Sequence, residues 1–131
     1  MGMPAAKQGD RVVATDLHII QPPAAPPPPP TPIPHPFSGP LTENLSTDVR
    51  IEGRAAATTG SVATNTPPHI PSGGTFVNPP DNRGTVSAGS STVRINGKAA
   101  ARSGDAARTC ADPAPNQAAR VVASGAVRIG G

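Results

Sequence analysis

Ser46 to Thr66 and Ser90 to Cys110 align without a gap and agree at ten of 21 positions. The matches include Val49/Val93, Arg50/Arg94, Ile51/Ile95, Gly53/Gly97, the alanine triplets 55–57 and 99–101, and Gly60/Gly104. A third copy is divided between the ends of the chain. Ser124 to Gly131 repeats the first half of the unit, and Met3 to Asp10 repeats the second, with Ala5, Ala6, Gly9 and Asp10 falling under Ala100, Ala101, Gly104 and Asp105. The repeat is therefore circular. An open solenoid does not join its last repeat to its first, so the pattern predicts a closed pseudo-threefold object whose termini meet.

Each unit reads as a β-hairpin. Val93-Arg94-Ile95 alternates apolar and polar residues, Asn96-Gly97 is a strong type I′ turn signal, and Lys98 to Arg102 returns. Glu52-Gly53 and Gly130-Gly131 occupy the same turn in the other copies. Asp10 and Asp105, after the repeated glycine, are turn formers that hydrogen-bond their own backbone. The expected fold is all-β and loop-rich, a pseudo-threefold arrangement of hairpins in one domain over residues 1–131.

Such a fold has little to pack. The chain has no Trp or Tyr and only two Phe, and 33 of its 131 residues are Gly or Pro. A small scaffold of this kind needs a staple: disulfides, a metal or oligomerisation. One cysteine, Cys110, rules out an internal disulfide.

A metal remains. His18, His35, His69 and Cys110 are a complete donor set for tetrahedral zinc. His18 follows Asp10 by eight residues and His69 follows the aligned Ser61 by eight, while Cys110 follows Asp105 by five, so each unit offers one donor. His35 is the fourth, on a proline-rich loop inserted at Pro22 to Pro36 whose ten prolines favour a stiff polyproline II path without hydrogen bonds of its own. Four protein donors leave no place for a reactive water, so the site would be structural and its binding free energy would support folding. No helix is convincing, although Gln117 to Ser124 has room for a turn or two.

Catalytic signatures are missing: no H-E-x-x-H, no G-x-S-x-G and no phosphate-binding loop occurs. The chain is not expected to be an enzyme. Its net charge of +3 is scattered and lacks aromatic residues to interleave with it, so a nucleic-acid partner is not expected either. No apolar run resembles a signal peptide or a membrane span, which suggests synthesis in the cytoplasm.

The Pro4-Ala5-Ala6-Lys7 start, Gly9-Asp10, Pro68-His69, Gly84-Thr85-Val86, the run from Val93 to Asp105, and Cys110 together resemble the PAAR-repeat proteins. These are spike tips of contractile injection systems, whether type VI secretion systems or extracellular phage-tail-like particles. Lys7 stands where the naming motif has Arg. The resemblance implies a metal-stapled cone whose triangular base caps a trimeric β-helical spike of the valine-glycine-repeat or phage baseplate-hub type, one chain per spike. It also implies expulsion on contraction, transient contact with the target membrane and carriage of effectors by contact, there being no room for a fused effector domain. Arg50, Arg94 and Arg128 hold equivalent places in the three hairpins and are candidates for the spike interface.

Two other classes stand beside this reading. A small zinc-dependent toxin or hydrolase would need an open metal position and a base. A proline-rich adaptor would bind its partner through Pro22 to Pro36 alone.

Overall fold

A computed structural model describes residues 2–131. Thirteen strands carry the fold: β1 (Met3–Pro4), β2 (Arg11–Gln21), β3 (Thr31–Glu43), β4 (Arg50–Ile51), β5 (Arg54–Ala55), β6 (Val62–Thr64), β7 (Thr75–Phe76), β8 (Arg83–Val86), β9 (Arg94–Ile95), β10 (Lys98–Ala99), β11 (Ala106–Thr109), β12 (Asn116–Val122) and β13 (Arg128–Ile129). No helix occurs among the described residues. The stretch Gln117 to Ser124, which had room for a helical turn, is mostly β12: Arg120, Val121 and Val122 pair with Val13, Val12 and Arg11 of β2. Pairing on both sides of β12 overrides its local helix propensity.

The repeat units form three two-stranded hairpins, β4–β5, β9–β10 and β1–β13, the last made from the two ends of the chain. In the first two turns both central residues have positive φ: Glu52 at 52° and Gly53 at 81°, Asn96 at 52° and Gly97 at 78°. That is the type I′ requirement. Each turn also docks on the segment that enters another hairpin. Ala126 N–H donates to Glu52, Asn96 donates to Asp48, and the Ser90 hydroxyl donates to the Gly130 carbonyl.

Backbone hydrogen bonds close a ring around the pseudo-threefold axis. Ala6 N–H donates to Ala101 O (2.9 Å), Ala101 N–H to Ala57 O (3.0 Å), and Ala57 N–H to Ala6 O (3.0 Å). A second ring runs from Ser103 to Pro4, from Gln8 to Ala55 and from Thr59 to Ala99. The turn formers obey the same symmetry: Asp10, Ser61 and Asp105 accept from the backbone N–H of Lys7, Thr58 and Arg102 at 3.0, 2.9 and 2.8 Å. Alanine at the axis is what lets three backbones come this close. Below the ring one Ala and one Ile per unit form an apolar layer: Ala5 and Ile129, Ala56 and Ile51, Ala100 and Ile95.

Beyond the ring the chain makes three longer excursions, β2–β3, β6–β8 and β11–β12. They join edge to edge, and the β12–β2 pairing closes them into a six-stranded barrel, with β7 added outside β2. Closure removes the open edges around the barrel, leaving one only where β3 runs past β6. The barrel's base is again threefold, with Val12, Ala63 and Ala107 in one set and Leu41, Val86 and Val121 in another. Ten of the twenty buried apolar residues among those described in the whole chain are alanine, so the core is thin.

The β2–β3 hairpin outgrows the other two. Its register runs from Arg11 opposite Pro40 to Ile20 opposite Thr31. The proline-rich stretch is thus only partly a loop. Residues 22–30 connect the strands, but Thr31 to Pro36 belong to β3. Alternation makes this possible. Pro32, Pro34 and Pro36 face Ile19, Leu17 and Thr15 in pairs whose N–H positions point away from β2, so the ladder loses no donor.

Candidate metal centre

Strand alternation builds the site. Along β2 the buried positions are Val12, Asp16, His18 and Ile20, and along β3 they are His35, Phe37, Gly39 and Leu41. The inward residues are therefore apolar near the base, polar at Asp16, His18 and His35, and apolar again at Ile20. His35 lies opposite Asp16 in the ladder, so both project into the same space. His69 arrives from the connection after β6, where Asn82 Oδ1 accepts its backbone N–H at 2.7 Å. Cys110 follows β11 directly.

Asp16, His18, His69 and Cys110 each offer one ligand atom, and these atoms lie within 4.8 Å of one another. This group could hold a metal ion. His18 Nε2 is 3.6 Å from Cys110 Sγ. The imidazole of His35 packs against the group, its ring 5.6 Å from those of His18 and His69. The chain's two phenylalanines bracket the histidines: Phe37 is 6.0 Å from His69 on the core side, and Phe76 is 5.6 Å from both His18 and His35. Aromatic walls lower the local polarity, which strengthens any charge interaction beside them.

The polar groups are arranged for a cation. Asp16 is fully buried. Its Oδ1 accepts from Thr109 and Asn116, while Oδ2 faces His69 Nε2 at 3.1 Å and Cys110 Sγ at 3.7 Å. A buried carboxylate of this kind needs compensating positive charge. His35 Nδ1 donates to the Ile33 carbonyl at 2.8 Å, which leaves the Nε2 lone pair free. Among the described residues that Nε2 and His18 Nδ1 are buried without a hydrogen-bond partner. The orphaned Nε2 of His35, beside a carboxylate and a thiol, fits a divalent cation with mixed nitrogen, sulfur and oxygen donors, and His18 offers its Nε2 on the Cys110 side.

Burial pushes His18 below the ordinary histidine value of 6.5, and repulsion from His69 adds to the effect, against the attraction of Asp112 and Asp16. Burial likewise pushes the Cys110 thiol up to about 12, although a backbone hydrogen bond from Asn82 favours the thiolate. Ligation by Cys110 must therefore displace a tightly held proton.

Of the four donors expected from the sequence, His18, His69 and Cys110 fall in the tight group and His35 stands beside it. His35 reaches the site from a strand rather than from a stiff loop. The equal spacing of His18 and His69 does bring both to the site, but by unlike elements, since β6 ends at Thr64 and β2 runs on to Gln21. Asp16 was missed. Its signal was present in Asp16-Leu17-His18, where a period of two puts both side chains on one face of an extended run. Arg50, Arg94 and Arg128 are exposed at the first position of β4, β9 and β13. Their guanidinium groups donate to the carbonyls of Gly53, Gly97 and Gly2 at 3.3, 3.3 and 3.1 Å, so the threefold relation extends to the side chains.

A closed β-barrel with a threefold base at one end and, at the other, a buried cluster of imidazole, carboxylate and thiol that could hold a metal defines a class of small β proteins. A family model described as the PAAR motif matches residues 34–109 and 78–131, and the two matches overlap on residues 78–109. The chain belongs to the PAAR motif family, a structural family associated with the spike tips of contractile injection systems. No curated protein matches it. No helix among the described residues is long and apolar enough to cross a membrane.

Proposed function

We propose that this chain is a structural tip that caps and sharpens the trimeric β-helical spike of a contractile injection system. The carrying observation is the closed ring of hydrogen bonds through Ala6, Ala57 and Ala101. It makes one chain into a pseudo-threefold base, the shape that a true threefold spike end can accept. Met3, Val93 and Val127 are exposed on the hairpin segments of that base, beside Arg50, Arg94 and Arg128. Contact there would add the short hairpin strands to the strands of the spike.

The cation of the other end is zinc in this reading, held by His18, His69 and Cys110 with His35 in the fourth place and Asp16 balancing charge. Zinc would cross-link the three barrel excursions and so resist unfolding under axial load. The role is mechanical rather than enzymatic. The tip is made in the cytoplasm, rides out on the spike at contraction, meets the target membrane briefly and carries effectors by contact.

Co-expression with a trimeric valine-glycine-repeat spike tests the reading. One chain should co-purify with each trimer, and Glu at positions 50, 94 and 128 should weaken the complex. A ratio of three chains to three, or no complex, would sink the cap. Undiminished binding by the triple variant would remove the arginines from the interface.

A further inference from the structure

Asp112 lies outside the donor cluster, and its side chain is only 10% exposed. It is fastened to the edge of β2 on both sides of His18. Asp112 N–H donates to the Leu17 carbonyl at 2.8 Å, and Ile19 N–H donates to Asp112 Oδ2 at 3.0 Å. This holds the carboxylate 3.6 Å from His18 Nδ1, the nitrogen that has no hydrogen-bond partner among the described residues. On the other side of the same ring, Nε2 faces Cys110 Sγ.

An imidazole can ligate through either nitrogen, and the choice is set by what the other one meets. A carboxylate at Nδ1 favours the tautomer with its proton there, leaves the Nε2 lone pair for the cation and makes it more basic. From this juxtaposition we propose that Asp112 is a positioning residue for His18, which accepts the Nδ1 proton and so aims Nε2 at the metal centre. The proposal rests on the metal-centre reading above. At 3.6 Å the pair stands about 0.4 Å beyond hydrogen-bond range, so the proposal requires the ring to shift by that amount when the cation binds.

Ala and Asn variants separate this role from a purely structural one. Asn keeps an amide oxygen that can accept from Ile19 N–H and from His18 Nδ1, whereas Ala removes both contacts. Zinc affinity of the full chain, measured by competition with a chelator, should fall roughly 10- to 100-fold in Asp112→Ala and recover much of that loss in Asp112→Asn. Nitrogen-15 spectra of zinc-loaded wild-type protein should show the His18 proton on Nδ1, with the opposite tautomer gaining in Asp112→Ala.

The wild-type tautomer decides the matter even if the Ala variant does not fold. A zinc-loaded wild-type chain with the proton on His18 Nε2 overturns the proposal, as does an Asp112→Ala affinity within about twofold of wild type. Wild-type protein that takes up no zinc overturns the metal centre itself, and this role for Asp112 with it.

Discussion

At the scale of single residues, Asp16 concentrates more of the site's polar contacts than any residue expected from the sequence. Truncating it to Ala strands the Thr109 hydroxyl and His69 Nε2 in the interior. Unpaired buried groups of this kind cost on the order of 3 kcal/mol together, and urea unfolding of Asp16→Ala should show a loss of about that size. Asp16→Asn keeps an acceptor for Thr109 and should lose less. His18 sets a pH dependence. Its folded pKa lies below 6.5, so the unfolded chain binds a proton that the folded chain refuses. Stability from this group is present above about pH 6.5 and is lost as the pH falls below it. Melting temperatures of chelator-treated protein should decline on acidification through that range, and His18→Gln should flatten the decline. Cys110 acts in the opposite sense: with its thiol pushed up to about 12, it enters the site protonated at neutral pH. Uptake of zinc should release that proton, which calorimetry in buffers of different ionisation enthalpy would detect; uptake without proton release would exclude thiolate ligation.

Among the elements, the long β2–β3 hairpin carries the site and shows how proline can serve in a strand. Pro32, Pro34 and Pro36 alternate, and their missing N–H groups fall on the side of β3 turned away from β2. Replacing all three with Thr would place three donors on that side, and the edge should then pair with another copy. Sedimentation should show a concentration-dependent dimer; a strictly monomeric triple variant would mean that neighbouring loops already cover the edge. Gly39, on the same strand, has a different reason to be small: a methyl there would run into the Thr64 carbonyl. The three short hairpins were legible in the sequence because a type I′ turn needs residues that tolerate positive φ, and Glu52-Gly53 and Asn96-Gly97 adopt it. Strand β12 was less legible, since nothing within Asn116 to Val122 reveals that β2 and β11 lie on either side of it.

For the whole molecule, the split repeat is a covalent gap in one hairpin of three. Met3 pairs with Ile129, and Arg128 donates to the Gly2 carbonyl, so the ends are already neighbours. Joining Gly131 to Gly2 through a short linker and opening the chain within residues 26–30 should give a folded permutant with unchanged zinc stoichiometry. Failure to fold would mean that the proline connection helps to set the β2–β3 register. By itself the sequence determined what is local: the hairpin unit and its turns, the threefold circularity, the meeting of the termini, and His18, His69 and Cys110 as candidate donors that the fold gathers into one group. Tertiary structure alone decided what depends on the meeting of strands remote in the chain. Barrel closure through β12 and β2, the place of His35 opposite Asp16, and the capture of Asp16 by Thr109, 93 residues away, belong to this second group. The physical reason is one of range: turn chemistry and side-chain alternation act over a few residues, whereas the register of distant strands is set by all the pairings that must close the barrel together.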